Sequence, residues 1–211
     1  MRILKARACL PGWDDVPEEL YEEARNALDR GDAEGARDRI ARAYEANPTD
    51  PAVRELYAGL LLAQAIRLAA QAREARRADI LRRNIGYDEE FHDSPDVAKL
   101  FDEALAAHDE VLRVDASHEK ARMMKAALLF RRDRAAGRVQ ALEILRAILA
   151  AHPGNRQVAY AIRKIETPCR RCSDTGFCPD CIGTGQRRRL GFTSKCRSCH
   201  GQGICLACGV V

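Results

Sequence analysis

Four cysteine pairs, each spaced Cys-x-x-Cys, crowd the chain beyond Pro168: Cys169/Cys172, Cys178/Cys181, Cys196/Cys199 and Cys205/Cys208. Each tight turn of this kind presents two thiolates to one metal ion, and two turns complete the tetrahedral Cys₄ set that zinc prefers. Eight ligands therefore imply two structural zinc ions. The spacing is symmetrical: five residues separate the first and second pairs, fourteen the second and third, and five the third and fourth. That symmetry suggests a hairpin in which inner pairs with inner and outer with outer. The same thiols could do other chemistry. A disulfide framework, redox-active Cys-x-x-Cys pairs and an iron or cluster site are the alternatives. Disulfides fit poorly with a start, Met1-Arg2-Ile3-Leu4-Lys5-Ala6-Arg7, that lacks the apolar core of a secretory signal.

The residues after the knuckles narrow the choice. Cys181 is followed by Ile182-Gly183-Thr184-Gly185 and Cys199 by His200-Gly201-Gln202-Gly203, so both read CxxCxGxG. Cys172 is followed by Ser173-Asp174-Thr175-Gly176, with Asp174 in place of the first glycine, and Cys208 by Gly209-Val210-Val211. Glycines here permit positive φ and a close approach of backbone to sulfur. This segment, about Pro168 to Val211, resembles the cysteine-rich zinc domain of DnaJ-type co-chaperones, a V-shaped β-hairpin of four such modules. The resemblance implies one zinc held by Cys169, Cys172, Cys205 and Cys208, and a second held by Cys178, Cys181, Cys196 and Cys199. On this reading His200 is the spacer of an xGxG turn rather than a ligand.

What positions such a module lies upstream. The chain has 211 residues, 46% hydrophobic and 31% charged, with only 5% aromatic residues. Abundant alanine and few aromatics favour helices packed through small residues. No apolar run approaches the roughly 20 residues of a membrane span. Leu20, Ala24, Ala27 and Leu28 recur at helical spacing before a break at Gly31-Asp32, and Ala36, Ile40, Ala43 and Tyr44 follow before Asn47-Pro48. Leu20, Ala24, Ala36, Ile40, Ala43 and Pro48 together resemble a tetratricopeptide (TPR) repeat, although the Trp and Tyr usual in its first helix are absent. The ending returns at Ala104, His108, Val111 and Asp115-Ala116, and again at Ala141, Leu145, Ile148 and His152-Pro153.

Between the first two endings lies one extended helix from Pro51 to about Arg83, which stops at Asn84-Ile85-Gly86-Tyr87. Its far end, Arg73 to Asp79, is charged on most faces and is expected to project. Ser94-Pro95 starts the next helix. Helices over 121–132 and 139–151 form a third pair, and 155–166 a capping helix. Pro168 then stops the chain one residue before the first knuckle, so the zinc hairpin should sit at a nearly fixed angle.

The expected fold is thus an all-α TPR-like helical repeat stack followed by a small β-hairpin zinc-binding domain. Its parts are an N-terminal segment (1–16), a helical repeat domain (17–167) with an extended insertion at 65–94, and the zinc domain (168–211). Trp13 is expected to pack the N-terminal segment onto the first repeat, and Cys9 to be a buried or incidental thiol rather than a nucleophile.

Charge adds little. The formal net charge of +4 counts cysteines as neutral. Eight thiolates and two Zn²⁺ bring it to zero, so no broad basic field announces nucleic acid. A local stripe, Arg187-Arg188-Arg189 with Phe192, could touch phosphate and stack a base, or could be a solvated strand beside two anionic metal centres. On the concave face of the helical stack, Tyr21, Arg25, Arg54, Lys120 and Lys125 are the candidate partner contacts. They do not form a carboxylate clamp.

Sites for catalysis are not recognisable. P-loop, GxSxG and HExxH motifs are absent, and the His-Pro-Asp tripeptide of a J-domain has only a scrambled echo at His92–Asp96. The two resemblances together imply a non-enzymatic, cytoplasmic protein-binding adaptor, co-chaperone-like or an assembly factor. Its partners would be proteins or peptides, including non-native chains, with zinc as structural cofactor. An RNA-associated regulator using the zinc hairpin is the alternative reading, and a thiol–disulfide exchange protein the third.

Overall fold

The computed structural model describes residues 16–83, 92–189 and 191–208. Cys9, Trp13 and the helix stop at Asn84–Tyr87 lie outside the described residues. Among the described residues, seven helices precede one short hairpin: α1 (Val16–Asp29), α2 (Ala33–Ala46), α3 (Pro51–Arg83), α4 (Pro95–Val114), α5 (Glu119–Arg132), α6 (Ala136–Ala151), α7 (Arg156–Glu166), β1 (Gln186–Arg189) and β2 (Phe192–Lys195). The chain divides into two compact units between Leu61 and Leu62, within α3.

In the first unit, α1, α2 and the start of α3 bury Leu20, Ala24, Ile40, Ala43 and Val53 in one cluster. The helix starts carry local signals. Asp32 accepts from the Gly35 N–H at 2.8 Å, and Asp50 accepts from Ala52 and Val53 at 2.8 and 3.1 Å. Such acceptors satisfy amide donors that a helix leaves open in its first turn.

In the second unit, α5, α6 and α7 enclose Phe130, Leu145, Ile148, Val158 and Ile165. Asn155 caps α7 through the Val158 N–H at 3.0 Å. The far end of α3 does not project as its charge suggested. Ala69 and Ala72 pack with Val97, Phe101, Ala104, Leu105 and Leu128 of α4 and α5. Ala65, Ala69, Ala72 and Ile80 are all buried, a stripe at helical spacing. Several charged residues beside it are paired. Arg76 stacks over the Phe101 ring at 4.1 Å and forks onto Asp93, its Nε donating at 2.7 Å. Asp79, 4% exposed, accepts from Arg82 and Arg83 at 2.5 and 3.1 Å, and the Arg82 hydrogen bond leads in holding its carboxyl below the ordinary range. Small alanines and paired arginines therefore let a segment that reads as polar become a seat.

Pro168 and the knuckles follow α7 directly. β1 and β2 pair antiparallel, with Gln186 opposite Lys195, Arg187 opposite Ser194, Arg188 opposite Thr193 and Arg189 opposite Phe192.

Candidate metal centre

Each knuckle closes through its own backbone. Ile182 N–H donates to Cys178 O at 2.8 Å and Thr184 N–H to Cys181 O at 3.0 Å; Gly201 donates to Cys196 O at 3.1 Å and Gln202 to Cys199 O at 2.9 Å. The bond to the second cysteine's carbonyl is the same in both inner knuckles, from the residue three positions on. Two left-handed residues follow the second cysteine of each, Ile182-Gly183 (φ 55 and 82) and His200-Gly201 (φ 51 and 81). The second glycine of each module is a close approach. A Cβ on Gly185 would stand 2.3 Å from Gly201 O, and one on Gly203 2.2 Å from Gly183 O. The same glycines donate their N–H to sulfur, Gly185 to Cys181 Sγ and Gly203 to Cys199 Sγ, both at 3.3 Å. Cys196 N–H donates to Gly185 O and Cys178 N–H to Gly203 O, both at 2.9 Å, which clasps inner to inner. The outer modules meet through Cys205 N–H to Gly176 O at 2.8 Å and an antiparallel bridge between Phe177 and Ile204.

This clasping gathers the sulfurs into two sets, Cys169, Cys172, Cys205 and Cys208, and Cys178, Cys181, Cys196 and Cys199, each with all sulfurs within 4.8 Å of one another. Across the hairpin the sulfurs stand 4.0 Å apart for Cys169–Cys205, 3.6 Å for Cys172–Cys208, 3.9 Å for Cys178–Cys196 and 3.6 Å for Cys181–Cys199. A disulfide needs about 2.0 Å, and none of these eight cysteines is in a disulfide. A tetrahedron with Zn–S of about 2.3 Å puts its sulfurs about 3.8 Å apart. The two clusters are therefore positioned to bind two zinc ions. All sulfurs but that of half-buried Cys169 belong to buried residues, so both sets are closed. Closed Cys₄ sets suit a structural metal, since a catalytic zinc keeps one position open.

Burial is the leading influence on the thiols. It pushes Cys178, Cys181, Cys205 and Cys208 above their ordinary value, with the Arg134 guanidinium pulling Cys208 the other way. Burial also acts upward at Cys169 and Cys196, but backbone N–H donors outweigh it there. At Cys169 the donors are Cys172 and Arg171, and the thiol falls to about 7. A dication that replaces the protons offsets the burial cost that holds the others neutral.

Asp174 does more than stand in for glycine. It takes the left-handed conformation (φ 61) that the other modules give to glycine, one that Asp tolerates better than most residues. Its carboxylate accepts from the Cys169 N–H at 3.1 Å and from Arg134 at 3.0 Å, and it is ion-paired to Arg138. Arg134 stacks over Phe130 at 4.4 Å and Arg138 over the same ring at 5.2 Å, both guanidiniums being mostly buried. Lys164 of α7 donates to Ala207 O at 2.8 Å, and Arg77 of α3 donates to Gly201 O at 2.7 Å. Phe177 and Ile80 close over Gly183. The metal module is thus held by α3, the α5–α6 turn and α7, not by the short connection at Pro168 alone. None of these docking residues stands out in the sequence except Asp174, as a missing glycine.

The remaining candidate residues do not join the metal sites. His200 is exposed and outside both clusters. Arg187, Arg188 and Phe192 are exposed, Phe192 by 80%; the Arg189 side chain is outside the described set. Strand alternation puts Arg187 on the face of Phe192 and Arg188 on the opposite face, so these two arginines do not share a face. Tyr21, Arg25 and Arg54 belong to the first unit, where Arg25 lies 6.0 Å from the Tyr21 ring. Lys120 and Lys125 belong to the second, and Lys125 is ion-paired to Asp109.

Among the described residues no helix is long and apolar enough to cross a membrane. No family model, no curated protein and no solved structure matches the chain. The assignment of the metal centres rests on the sulfur geometry itself.

Proposed function

We propose that the chain is a non-enzymatic protein-binding adaptor, co-chaperone-like or an assembly factor, with a TPR-type helical part and a DnaJ-type two-zinc module. Its zinc ions are structural and its partners are proteins or peptides, including non-native chains.

The observation that carries this reading is the hairpin held above the inner cysteine cluster. All four residues of β2 are exposed, and Phe192 leaves 80% of its surface in water. A ribbon of two strands offers open backbone edges on both sides, and an extended polypeptide can add there as a further strand. An aromatic side chain and the Arg187 guanidinium share one face of it. The closed cysteine sets argue for a scaffold rather than thiol–disulfide exchange. The placement of Arg187 and Arg188 on opposite faces speaks for a protein contact over a phosphate track.

The test is suppression of aggregation of a chemically unfolded globular protein by the zinc-loaded chain, without nucleotide. Suppression should occur, and should weaken in Phe192→Ser and in Cys178→Ser/Cys181→Ser. Tight, salt-sensitive RNA binding with no effect on the unfolded client would replace this reading by the RNA-associated one.

A further inference from the structure

Between Cys181 and Val211 the sequence holds no Asp or Glu, while Arg187, Arg188, Lys195 and Arg197 stand on or beside the hairpin. All four are exposed, and none has an ion-pair partner among the described residues. Asp180, the last acidic residue before them, faces Arg171 at 4.0 Å. Four thiolates and one Zn²⁺ leave the inner centre at −2, which these four cations exceed. The ribbon therefore carries a positive surplus.

Its two edges differ. Cys196 N–H donates to Gly185 O, and hydrogen-bonded pairs alternate along an antiparallel ladder. The main-chain groups of Gln186 and Arg188 on β1, and of Thr193 and Lys195 on β2, therefore point outward. On β1 the edge is partly taken. Gln186 donates its N–H to Thr184 Oγ1 at 3.2 Å, and its carbonyl accepts from the same hydroxyl at 2.9 Å. On β2 the outward groups of Thr193 and Lys195 have no hydrogen-bond partner among the described residues. Residues directly opposite share a face, so Arg188, Thr193 and Lys195 stand on one face, and Arg187, Ser194 and Phe192 on the other. A strand added to β2 alternates between the same two faces. Its residues opposite Thr193 and Lys195 fall on the face of two cations. Its residue opposite Phe192 falls beside an aromatic ring that is 80% exposed.

Building on the protein-binding reading above, we propose that the open edge of β2 takes, as a third strand, an extended segment of a partner protein in which acidic and apolar side chains alternate. Main-chain hydrogen bonds supply the affinity of such an addition, and alternate side chains supply its selectivity. Opposite charges on neighbouring strands stabilise the pairing and like charges oppose it. A second copy of this chain would bring the same cations and be repelled.

The probe is the labelled peptide Gly-Glu-Val-Glu-Phe-Glu-Val-Gly, titrated by fluorescence anisotropy into the full-length zinc-loaded chain. Its controls are Gly-Glu-Glu-Glu-Val-Val-Phe-Gly, of the same composition, and Gly-Lys-Val-Lys-Phe-Lys-Val-Gly. The alternating acidic peptide should bind at least about tenfold more tightly than either control. The amide resonances of Thr193 and Lys195 should shift on binding. Phe192→Ser should weaken binding about fivefold. Lys195→Glu, checked for zinc content, should reverse the preference between acidic and basic peptides. Arg188→Glu supplies that comparison if Lys195→Glu disturbs the neighbouring metal site. Equal binding of the acidic and basic peptides overturns the proposal, and so does equal binding of the alternating and blocked ones. Tighter binding of an oligouridylate at the same residues overturns it in favour of RNA. Self-association of the free chain that Phe192→Ser abolishes overturns it in favour of a second copy. If the chain protects an unfolded client but shows no preference among the peptides, the partner chemistry is wrong and the adaptor reading stands. If it selects the alternating acidic peptide but protects no client, the partner chemistry stands and the handling of non-native chains falls.

Discussion

Arg134 Nη2 donates to Cys208 Sγ at 3.2 Å while its Nη1 donates to Asp174 Oδ1 at 3.0 Å. One side chain from the α5–α6 turn thus touches both a sulfur of the outer cluster and the carboxylate that replaces a module glycine. A thiolate bound to zinc still carries negative charge, and an outer donor steadies it.

Replacing Arg134 by Gln should weaken the outer site about 10- to 100-fold, the usual cost of losing such a partner. The inner site has no contact with Arg134 and should be unaffected. Stepwise zinc release to a competing chelator should therefore split into two phases further apart than in the wild type. Equal weakening of both sites would contradict the role.

Asp174→Gly restores the CxxCxGxG pattern to the first module, so zinc stoichiometry should be kept. The Arg134 and Arg138 guanidiniums, 12% and 21% exposed, would lose their shared carboxylate. Hydrogen bonds to charged groups contribute about 1.5–3 kcal/mol each. Partial exposure and relief of the positive φ reduce the net cost, so a loss of about 2 kcal/mol is expected in denaturant unfolding. Hydrogen exchange should rise along 169–178 and at the α5–α6 turn. An unchanged exchange pattern would show that the module is held by other contacts.

Much of the fold is legible in the sequence because its signals are local. The four knuckles, the helix from Pro51 to Arg83 and the start at Ser94-Pro95 each depend on neighbours within a few residues. The seat of the metal module is not local. Arg77 meets Gly201 and Arg134 meets Cys208, partners 124 and 74 positions apart. The same blindness explains the misjudged end of α3: Arg76 looks solvated until Asp93 and Phe101 are beside it. Strand alternation was legible in principle, and splits Arg187 from Arg188 once the hairpin register is known.

His108 gives a pH dependence. It is fully buried and neither ring nitrogen has a hydrogen-bond partner. Burial, the largest influence, pushes its pKa down; Asp109 raises it and Lys125 lowers it. The folded state therefore keeps His108 neutral where the unfolded chain takes up a proton. Stability should be intact above the unfolded value of about 6.5 and fall as pH drops below it toward the folded value. His108→Leu should remove this slope below about pH 6.5 and leave stability at pH 7.5 equal or higher, because it removes buried polar atoms left unpaired. Urea unfolding at several pH values checks it, and an unchanged slope would refute it.

Metal removal should separate the two kinds of structure. The knuckle segment buries little besides its cysteines, and structural zinc supplies on the order of 10–16 kcal/mol to such modules. Chelation at neutral pH should disorder 169–208, and most helical circular dichroism should persist. Acid should release the metal steeply, since each raised thiol must give up its proton to bind. A collapse of the helical signal on chelation would show that the helices depend on the module.

The central claim is the nested pairing of eight cysteines around two zinc ions, and native mass spectrometry of paired serine variants tests it most directly. The wild type should carry two zinc ions. Cys178→Ser/Cys196→Ser removes two ligands from one cluster and should leave one tightly bound zinc, whereas Cys178→Ser/Cys205→Ser damages both clusters and should leave none. If instead the first variant loses both ions, neighbouring knuckles pair in chain order and the account is wrong.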